Sequence, residues 1–109
     1  MAEVKFDYDD KNDNLFLIDK SADIKSSVMF GDVILDISKD GKLIGIEMFD
    51  ASNMVGVSRD ELENIRKADM QVFYKLNMVI VRIHLHFRDS EKDISIPIAT
   101  EMQLASAVA

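Results

Sequence analysis

The stretch DVILDISKDGKLIGIEMFD, residues 32–50, decides the fold of this chain. Two apolar runs, Val33–Ile37 and Leu43–Phe49, flank a polar segment that contains Asp40-Gly41. Asp-Gly favours a hairpin turn because glycine adopts a left-handed backbone conformation without a steric penalty. The stretch therefore predicts a β-hairpin with the loop Lys39-Asp40-Gly41, in which Gly41 has a structural role.

The register of this hairpin predicts apolar side chains on both of its faces. With the three-residue loop, Ile37 lies opposite Leu43 and Leu35 lies opposite Gly45. One face then carries Val33, Leu35, Ile37, Leu43 and Phe49, and the other carries Ile34, Ile44, Ile46 and Met48. A sheet with one wet side alternates more cleanly, so we expect a helix, a second sheet or another subunit to cover each face.

The residues before this hairpin also predict β-structure. Val4, Phe6 and Tyr8 alternate with polar residues, which is typical of a half-buried strand. The polar residues 9–14 predict a turn, Leu15–Ile18 a second strand, and Asp19–Ser27 an irregular connection. Together with the hairpin, these elements predict a β-meander over about residues 4–50.

A helix is predicted next, over about residues 58–68. Ser58 and Glu61 have the spacing of a capping box, in which each side chain bonds the other residue's backbone N–H. Leu62 and Ile65 form a narrow apolar stripe, so we expect the helix to pack along one edge only.

The second half returns to β-structure, predicted over about residues 71–98. Gln71–Leu76 predicts one strand, and the clean alternation of residues 78–88 predicts the next. The last strand contains Pro97, which favours a sheet edge because proline cannot donate a ladder hydrogen bond. Residues 99–109 show little pattern. The sequence thus predicts a single α+β domain over residues 1–109: a meander, one short helix and a second antiparallel unit.

Composition excludes several functional classes. The 109 residues include no cysteine, which excludes disulfides and thiol catalysis and is typical of a cytoplasmic protein. Lys and Arg number 13 against 20 acidic residues, so the net charge is −7. An acidic chain repels nucleic acid and anionic lipid, and no apolar run is long enough to span a membrane. We therefore expect neither nucleic acid nor membrane as a partner.

A series of short motifs covers about residues 6–52. Tyr8-Asp9 is followed by Asp13-Asn14-Leu15-Phe16, Val33-Ile34-Leu35-Asp36, Asp40-Gly41-Lys42-Leu43-Ile44-Gly45-Ile46-Glu47 and Asp50-Ala51-Ser52. In order and spacing, this series resembles the family called domain of unknown function 2283, in which tyrosine usually stands at the position of Phe16. The resemblance implies a compact β-rich module. It implies no established activity and supplies no catalytic residues.

Two histidines on one strand are the candidate metal ligands. His84 and His86 lie on the same face, about 7 Å apart between Cα atoms at ~3.3 Å of rise per residue. A metal needs a third ligand, for which Asp36, Glu47 and Asp50 are the candidates. Because two imidazoles leave tetrahedral coordination half filled, we expect no tightly held metal and instead a polar face that carboxylates neutralise.

Arg82 and Arg88 extend this face into a basic stripe, which is a candidate site for a phosphate or carboxylate ligand. The alternative is that acidic strand faces, in this chain or in a second subunit, pair with the stripe. The sequence has no phosphate-binding glycine loop and no recognisable nucleophile motif, so we name no catalytic residue and no cofactor.

Three functions remain open. The leading hypothesis is a non-enzymatic module that associates with itself or with a protein partner, because the hairpin has apolar residues on both faces. In a homodimer, we expect the interface to bury some of Ile34, Ile44, Ile46 and Met48, or the strand Met78–Phe87. The second is a metal- or anion-dependent enzyme or binding protein built on His84 and His86. The third is a regulatory partner of a basic protein, such as a toxin-neutralising protein, in which acidic surface covers basic surface.

Overall fold

The structure, a computed structural model, describes residues 1–21 and 23–99, so nearly all of the weakly patterned segment 99–109 lies outside the described residues. The residues in these two ranges form one antiparallel sheet of eight strands and two short helices. In chain order, these are β1 (Ala2–Asp9), β2 (Asn14–Asp19), β3 (Ile24–Phe30), β4 (Val33–Ser38), β5 (Leu43–Met48), α1 (Ala51–Val55), α2 (Arg59–Glu63), β6 (Lys67–Lys75), β7 (Met78–His86) and β8 (Glu91–Ala99).

The strand order, β3-β4-β5-β2-β1-β6-β7-β8, corrects the predicted fold class. A balanced α+β fold with a separate second β unit is wrong, because β1 pairs with β2 on one side and with β6 on the other. Val4 lies opposite Ala68 in the joining ladder. The alternation within a single strand does not show which strands pair, so the pairing of β1 with β6 could not be predicted from the sequence.

The helical segment is shorter than predicted. The capping box of Ser58 and Glu61 is confirmed, with 3.1 Å hydrogen bonds in both directions. Asn64 already caps the C-terminus of α2, however, and Ala68 belongs to β6. The helix α1 was not predicted. Within the described residues, no helix is long and apolar enough to cross a membrane.

The strand β3 was also not predicted, because Lys25, Ser26 and Ser27 are polar and exposed. It occupies much of the segment expected to be irregular and pairs with β4, with Val28 opposite Leu35. The expected edge position of Pro97 is confirmed, since β8 ends the sheet.

One face of the sheet holds the core, and the sheet curls around it. Alternate residues of the strands are buried there, and the helices add Ala51, Val55 and Leu62. Across this face, the backbone N–H of Leu43 in β5 donates a 2.8 Å hydrogen bond to the hydroxyl of Tyr74 in β6. Two strands separate β5 from β6 in the sheet, so this contact requires strong curvature.

The predicted hairpin of residues 32–50 forms. Beyond the turn, however, its register differs by one residue from the predicted register. Ile37 lies opposite Leu43 as predicted, and Gly41 has a positive φ of 80°. An irregularity after Asp36 then places Leu35 opposite Ile46. Ile46 and Met48 therefore face the core with Leu35, where both are fully buried, and the prediction that placed them on the other face is wrong.

The new register places the carboxylate of Asp36 over Gly45. Asp36 is buried and accepts a 2.6 Å hydrogen bond from the hydroxyl of Ser27. A Cβ atom on Gly45 would lie 3.0 Å from the Asp36 carboxylate and 3.0 Å from the backbone oxygen of Leu17. Two residues of the sequence motifs, Asp36 and Gly45, thus fit one another across β4 and β5.

We expect Gly45→Ala to lower the free energy of unfolding by about 1–3 kcal/mol, because overpacking shifts both neighbours. Urea unfolding measures this loss. The control is Ser95→Ala on the exposed face of β8, where the change should stay within about 0.5 kcal/mol. Equal unfolding midpoints for Gly45→Ala and the wild type would show that the contact is not tight.

A second buried carboxylate, Asp13, joins the β1–β2 turn to the helices. It accepts hydrogen bonds from the hydroxyl of Tyr8 at 2.6 Å and from the hydroxyl of Ser52 at 2.7 Å. The backbone N–H of Ser52 also donates to it, at 3.1 Å, and the Arg59 guanidinium lies 3.8 Å away. Asp13 has a left-handed backbone, with φ 55°, and its own carbonyl accepts from the N–H of Ala51.

The charged form of Asp13 is stabilised in the folded protein. Burial by itself raises the pKa of Asp13, but the hydrogen bonds from Tyr8 and Ser52 and the charge of Arg59 outweigh it, and the pKa is lowered overall. Burial and the bond to Asp13 raise the pKa of Tyr8, which keeps its hydroxyl protonated as the donor.

We expect Asp13→Asn to destabilise the protein by roughly 2 kcal/mol at pH 7, because asparagine tolerates the left-handed backbone but lacks the charge. The lowered pKa means that the wild-type advantage is present above the unfolded pKa of about 3.9 and disappears as the pH falls through the folded value. Urea unfolding of both proteins from pH 7 to pH 3 tests this sign. A stability difference that does not change with pH would contradict it.

Candidate metal centre on β7 and β8

The strand β7 presents His84 and His86 on its outer face, as predicted. Its inner face contributes Val79, Val81, Ile83 and Leu85 to the core. The two imidazoles on the outer face are partly buried, with ring centroids 4.4 Å apart. A one-residue slip of β7 would bury the histidines and expose its core residues, so the core fixes the position of the pair.

The neighbouring strands supply carboxylates at the same level. In the ladder to β8, His84 lies opposite Asp93 and His86 lies opposite Glu91. In the ladder to β6, His84 lies opposite Asp69. Residues opposite one another in a ladder share a face, so three acidic side chains surround the two histidines.

One oxygen of Glu91 lies between the two imidazoles. Its Oε1 is 3.3 Å from Nε2 of His84 and 3.1 Å from Nδ1 of His86. One ligand atom from each of these three residues lies within 4.8 Å of the other two. The Glu91 side chain is 61% exposed, so an ion from solvent can reach this point.

The other nitrogen of each histidine faces an aspartate. Nδ1 of His84 contacts Oδ1 of Asp93, and Nε2 of His86 lies 2.7 Å from Oδ2 of Asp69. Metal-binding histidines in proteins usually donate their second N–H to a carboxylate in this way, which fixes the tautomer and the ring orientation. The pairs predict coordination through Nε2 of His84 and Nδ1 of His86.

The carboxylates also shift the acid–base properties of the site. Hydrogen bonds to Asp93 and to Glu91 raise the pKa of His84. Burial, the largest single cause, raises the pKa of Asp69, but its bond to His86 and the positive charge of Lys67 together outweigh burial, and the pKa is lowered overall. Asp93 and Glu91 therefore stabilise the protonated form of the His84 imidazole.

The spacing of the three residues suits a tetrahedral ion. With Zn–N and Zn–O bonds of about 2.0–2.2 Å, two tetrahedral ligand atoms are roughly 3.3–3.6 Å apart. The two contacts of Glu91, 3.3 and 3.1 Å, lie at or slightly below the lower end of this range. Two histidines and one glutamate leave the fourth position open for water or another ligand.

The predicted third ligands are elsewhere. Asp36 is buried beside Gly45, Glu47 lies on β5, and Asp50 precedes α1 with a left-handed backbone. Three strands, β2, β1 and β6, separate β5 from β7 in the sheet. Those three acidic residues therefore do not meet the histidines, and the interpretation that placed them there is wrong.

The predicted anion site is only partly assembled. Arg82 is exposed on the outer face of β7, two residues before His84, but Arg88 lies beyond the end of the strand. The two arginines are therefore not parts of one regular strand face. The alternative expectation, that carboxylates pair with this face, is confirmed for both histidines.

Sequence reasoning missed Asp69, Glu91 and Asp93. A signal was present in the β7–β8 hairpin, where the acidic pair Glu91 and Asp93 mirrors His86 and His84 across a short turn. The backbone N–H of Phe87 donates to the carbonyl of Ser90 and closes that turn. Asp69 is 17 residues from His86 in the sequence, and no short-range sequence pattern links the two residues.

The match to a protein family lies in the other half of the sheet. Residues 5–52 match the family described as "Protein of unknown function (DUF2283)". This region contains Tyr8, Asp13 and Asp36 and ends before α2, so the match does not include the histidine site. No solved structure matches the chain.

Two relatives extend the similarity. A protein of Methanosarcina mazei named "Putative hypoxanthine phosphoribosyltransferase" is 34% identical over 68 residues, which are 62% of this chain and 55% of that protein. The chain thus spans about half the length of this relative. An uncharacterized protein of Methanocaldococcus jannaschii is 30% identical over 93 residues, 84% of this chain and 80% of that protein.

The match with the Methanocaldococcus jannaschii protein covers most of both chains, whereas the match with the Methanosarcina mazei protein covers only about half of that protein. The chain therefore belongs to the family of the uncharacterized Methanocaldococcus jannaschii protein, and its residues 5–52 carry the region described as a domain of unknown function, DUF2283.

Proposed function

We propose that this chain is a small metal-binding module that holds one zinc-like divalent ion on β7 and β8. The observation that carries the proposal is the convergence of His84 Nε2 and His86 Nδ1 on the same oxygen of Glu91. The expectation of no tightly held metal assumed only two ligands. Glu91 is the third, and it reaches the histidines through the strand register.

The charges around the site favour a dication. Asp69, Glu91 and Asp93 surround the two imidazoles. When the imidazoles are neutral, these carboxylates attract a divalent cation. After it binds, Glu91 serves as a ligand, and Asp69 and Asp93 remain as partners of the ligand N–H groups. Imidazole and carboxylate ligands together suit zinc better than a hard ion such as calcium, which prefers oxygen ligands only.

The open position of the site suits metal storage as well as metal-assisted chemistry, and of the two we propose the non-enzymatic role. The supporting observation is exposure: the ligands lie on the outer face of the sheet, and the Asp93 side chain is 56% exposed. Substrate sites are usually concave and enclosed. The phosphoribosyltransferase name of one relative does not enter this proposal, since the match spans 55% of that protein.

Isothermal titration of the metal-free protein with zinc tests the proposal. We expect saturable binding of one ion per chain. His84→Ala, His86→Ala and Glu91→Gln should each abolish it, because two remaining ligands hold zinc poorly. Asp93→Asn should weaken binding by about 10–100-fold, because it removes a partner of a ligand rather than a ligand.

Arg82→Gln is the matched control, since Arg82 lies on the same face of β7 but is not a ligand. Its zinc affinity should equal that of the wild type. Far-ultraviolet circular dichroism of each variant shows whether the sheet is retained. Unchanged zinc binding in the folded Glu91→Gln variant, or no saturable binding by the wild type, would contradict the metal site.

A second candidate function is self-association, in a cytoplasmic protein, as a homodimer. The composition without cysteine supports that location. Ile46 and Met48 of the hairpin are buried in the core and cannot form a dimer interface. One observation still favours association. Met29, on the edge strand β3, is 65% exposed, and it lies next to Ile34 on the outer face of the sheet.

A further inference from the structure

The two edges of the sheet differ in how well they are protected from pairing with another strand. Edge strands expose backbone hydrogen-bonding groups, and proline or charged residues commonly block their pairing. The edge strand β8 has such residues: Glu91, Lys92, Asp93 and Pro97. In the opposite edge strand β3, the only charged residue is Lys25, and Ser26–Phe30 contains neither charge nor proline.

Among the described residues, β3 pairs with β4 and with no other strand. Its outward-facing side chains are accessible as well: Met29 is 65% exposed and Ile24 is 44% exposed. The segment Ser26–Phe30 therefore combines backbone groups that can pair with apolar side chains that gain from burial.

The apolar character continues from β3 across the outer face. Met29 lies opposite Ile34, Ile34 lies opposite Glu47, and Glu47 lies opposite Phe16. Except for Glu47, this row across four strands is apolar, and Ile34 and Phe16 are half-buried. A strand added at β3 would extend the row from the exposed end, at Met29.

The charges at the ends of β3 suit pairing with a second copy of this chain in one orientation. Asp23 and Lys25 lie at the start of the strand, and Asp32 follows its end. When two identical strands pair antiparallel about an axis near Val28, the start of each meets the end of the other. Lys25 of each copy then lies near Asp32 of its partner and offsets the like charge of Asp23, whereas a parallel arrangement sets each of the three charges beside the same charge of the other copy.

We infer that two copies of the chain pair antiparallel through β3, which joins their sheets across a two-fold axis near Ser26–Met29. Such an interface is isologous, with the same patch used on both copies. This inference rests on the second candidate function, self-association, and is independent of the metal site. It also replaces the buried residues of the predicted hairpin interface with an accessible edge.

A cysteine scan tests the arrangement directly, because the wild-type chain has no cysteine. Single substitutions Ser26→Cys, Ser27→Cys, Val28→Cys and Met29→Cys are oxidised, and disulfide-linked dimers are counted. A disulfide needs Cα atoms roughly 4.4–6.8 Å apart, a distance that only residues at or beside the two-fold axis satisfy. We expect cross-linking to reach a maximum within these four positions.

Leu76→Cys is the control, since Leu76 is 94% exposed but lies in the turn between β6 and β7. It should cross-link much less than the best β3 position. Equal or faster cross-linking at Leu76 would show that the β3 disulfides arise from random collisions, and it would overturn the inference.

Sedimentation equilibrium distinguishes a dimer that forms through β3 from a dimer that forms through another surface. We expect the wild type to have about twice the monomer mass of 12.3 kDa, and Met29→Lys to be monomeric because lysine blocks edge pairing. Leu76→Lys, with the same charge change, should remain dimeric. A dimer that persists in Met29→Lys would overturn the β3 interface but retain self-association, and a monomeric wild type would overturn both.

Discussion

The antiparallel register, set by a single buried face, is the constraint on which the rest of this structure depends. Side chains of a strand alternate between faces, so a strand that places Val81, Ile83 and Leu85 in the core must place His84 and His86 outside. The same rule holds for β6 and β8, which brings Asp69, Glu91 and Asp93 to the outer face beside them. The candidate metal centre is therefore a consequence of how the core packs.

The family motifs in residues 5–52 supply buried polar contacts that stabilise the other half of the sheet. Tyr8, Asp13 and Ser52 meet in one hydrogen-bonded cluster that fixes α1 against the β1–β2 turn. Asp36 and Gly45 fit together across β4 and β5. A buried carboxylate that loses its partners costs several kcal/mol, which gives a physical reason for these residue types to occur together. The domain can thus be recognised by its motifs although they reveal no activity.

Local signals in the sequence predicted local structure well. The capping box of Ser58, the left-handed Gly41 and the alternation of β7 all correspond to observed features. Contacts between distant segments were not predictable in this way. Because of the bulge after Asp36, Ile46 lies on the opposite face of the sheet from the predicted one. Because β1 pairs with β6, the two expected β units form one sheet. The histidines were identified from the alternation within β7 alone. Glu91 was missed because it meets them only through the pairing of β7 with β8.

The most direct measurement of the central claim is the tautomeric state of the two histidines, from long-range ¹H–¹⁵N NMR spectra recorded with and without zinc. The account predicts that zinc makes both rings neutral. His84 should then keep its proton on Nδ1, beside Asp93, and His86 on Nε2, beside Asp69. Zinc would occupy the opposite nitrogens, which converge on Glu91. Histidine signals that do not change with zinc, or that show the opposite tautomers, would contradict the account.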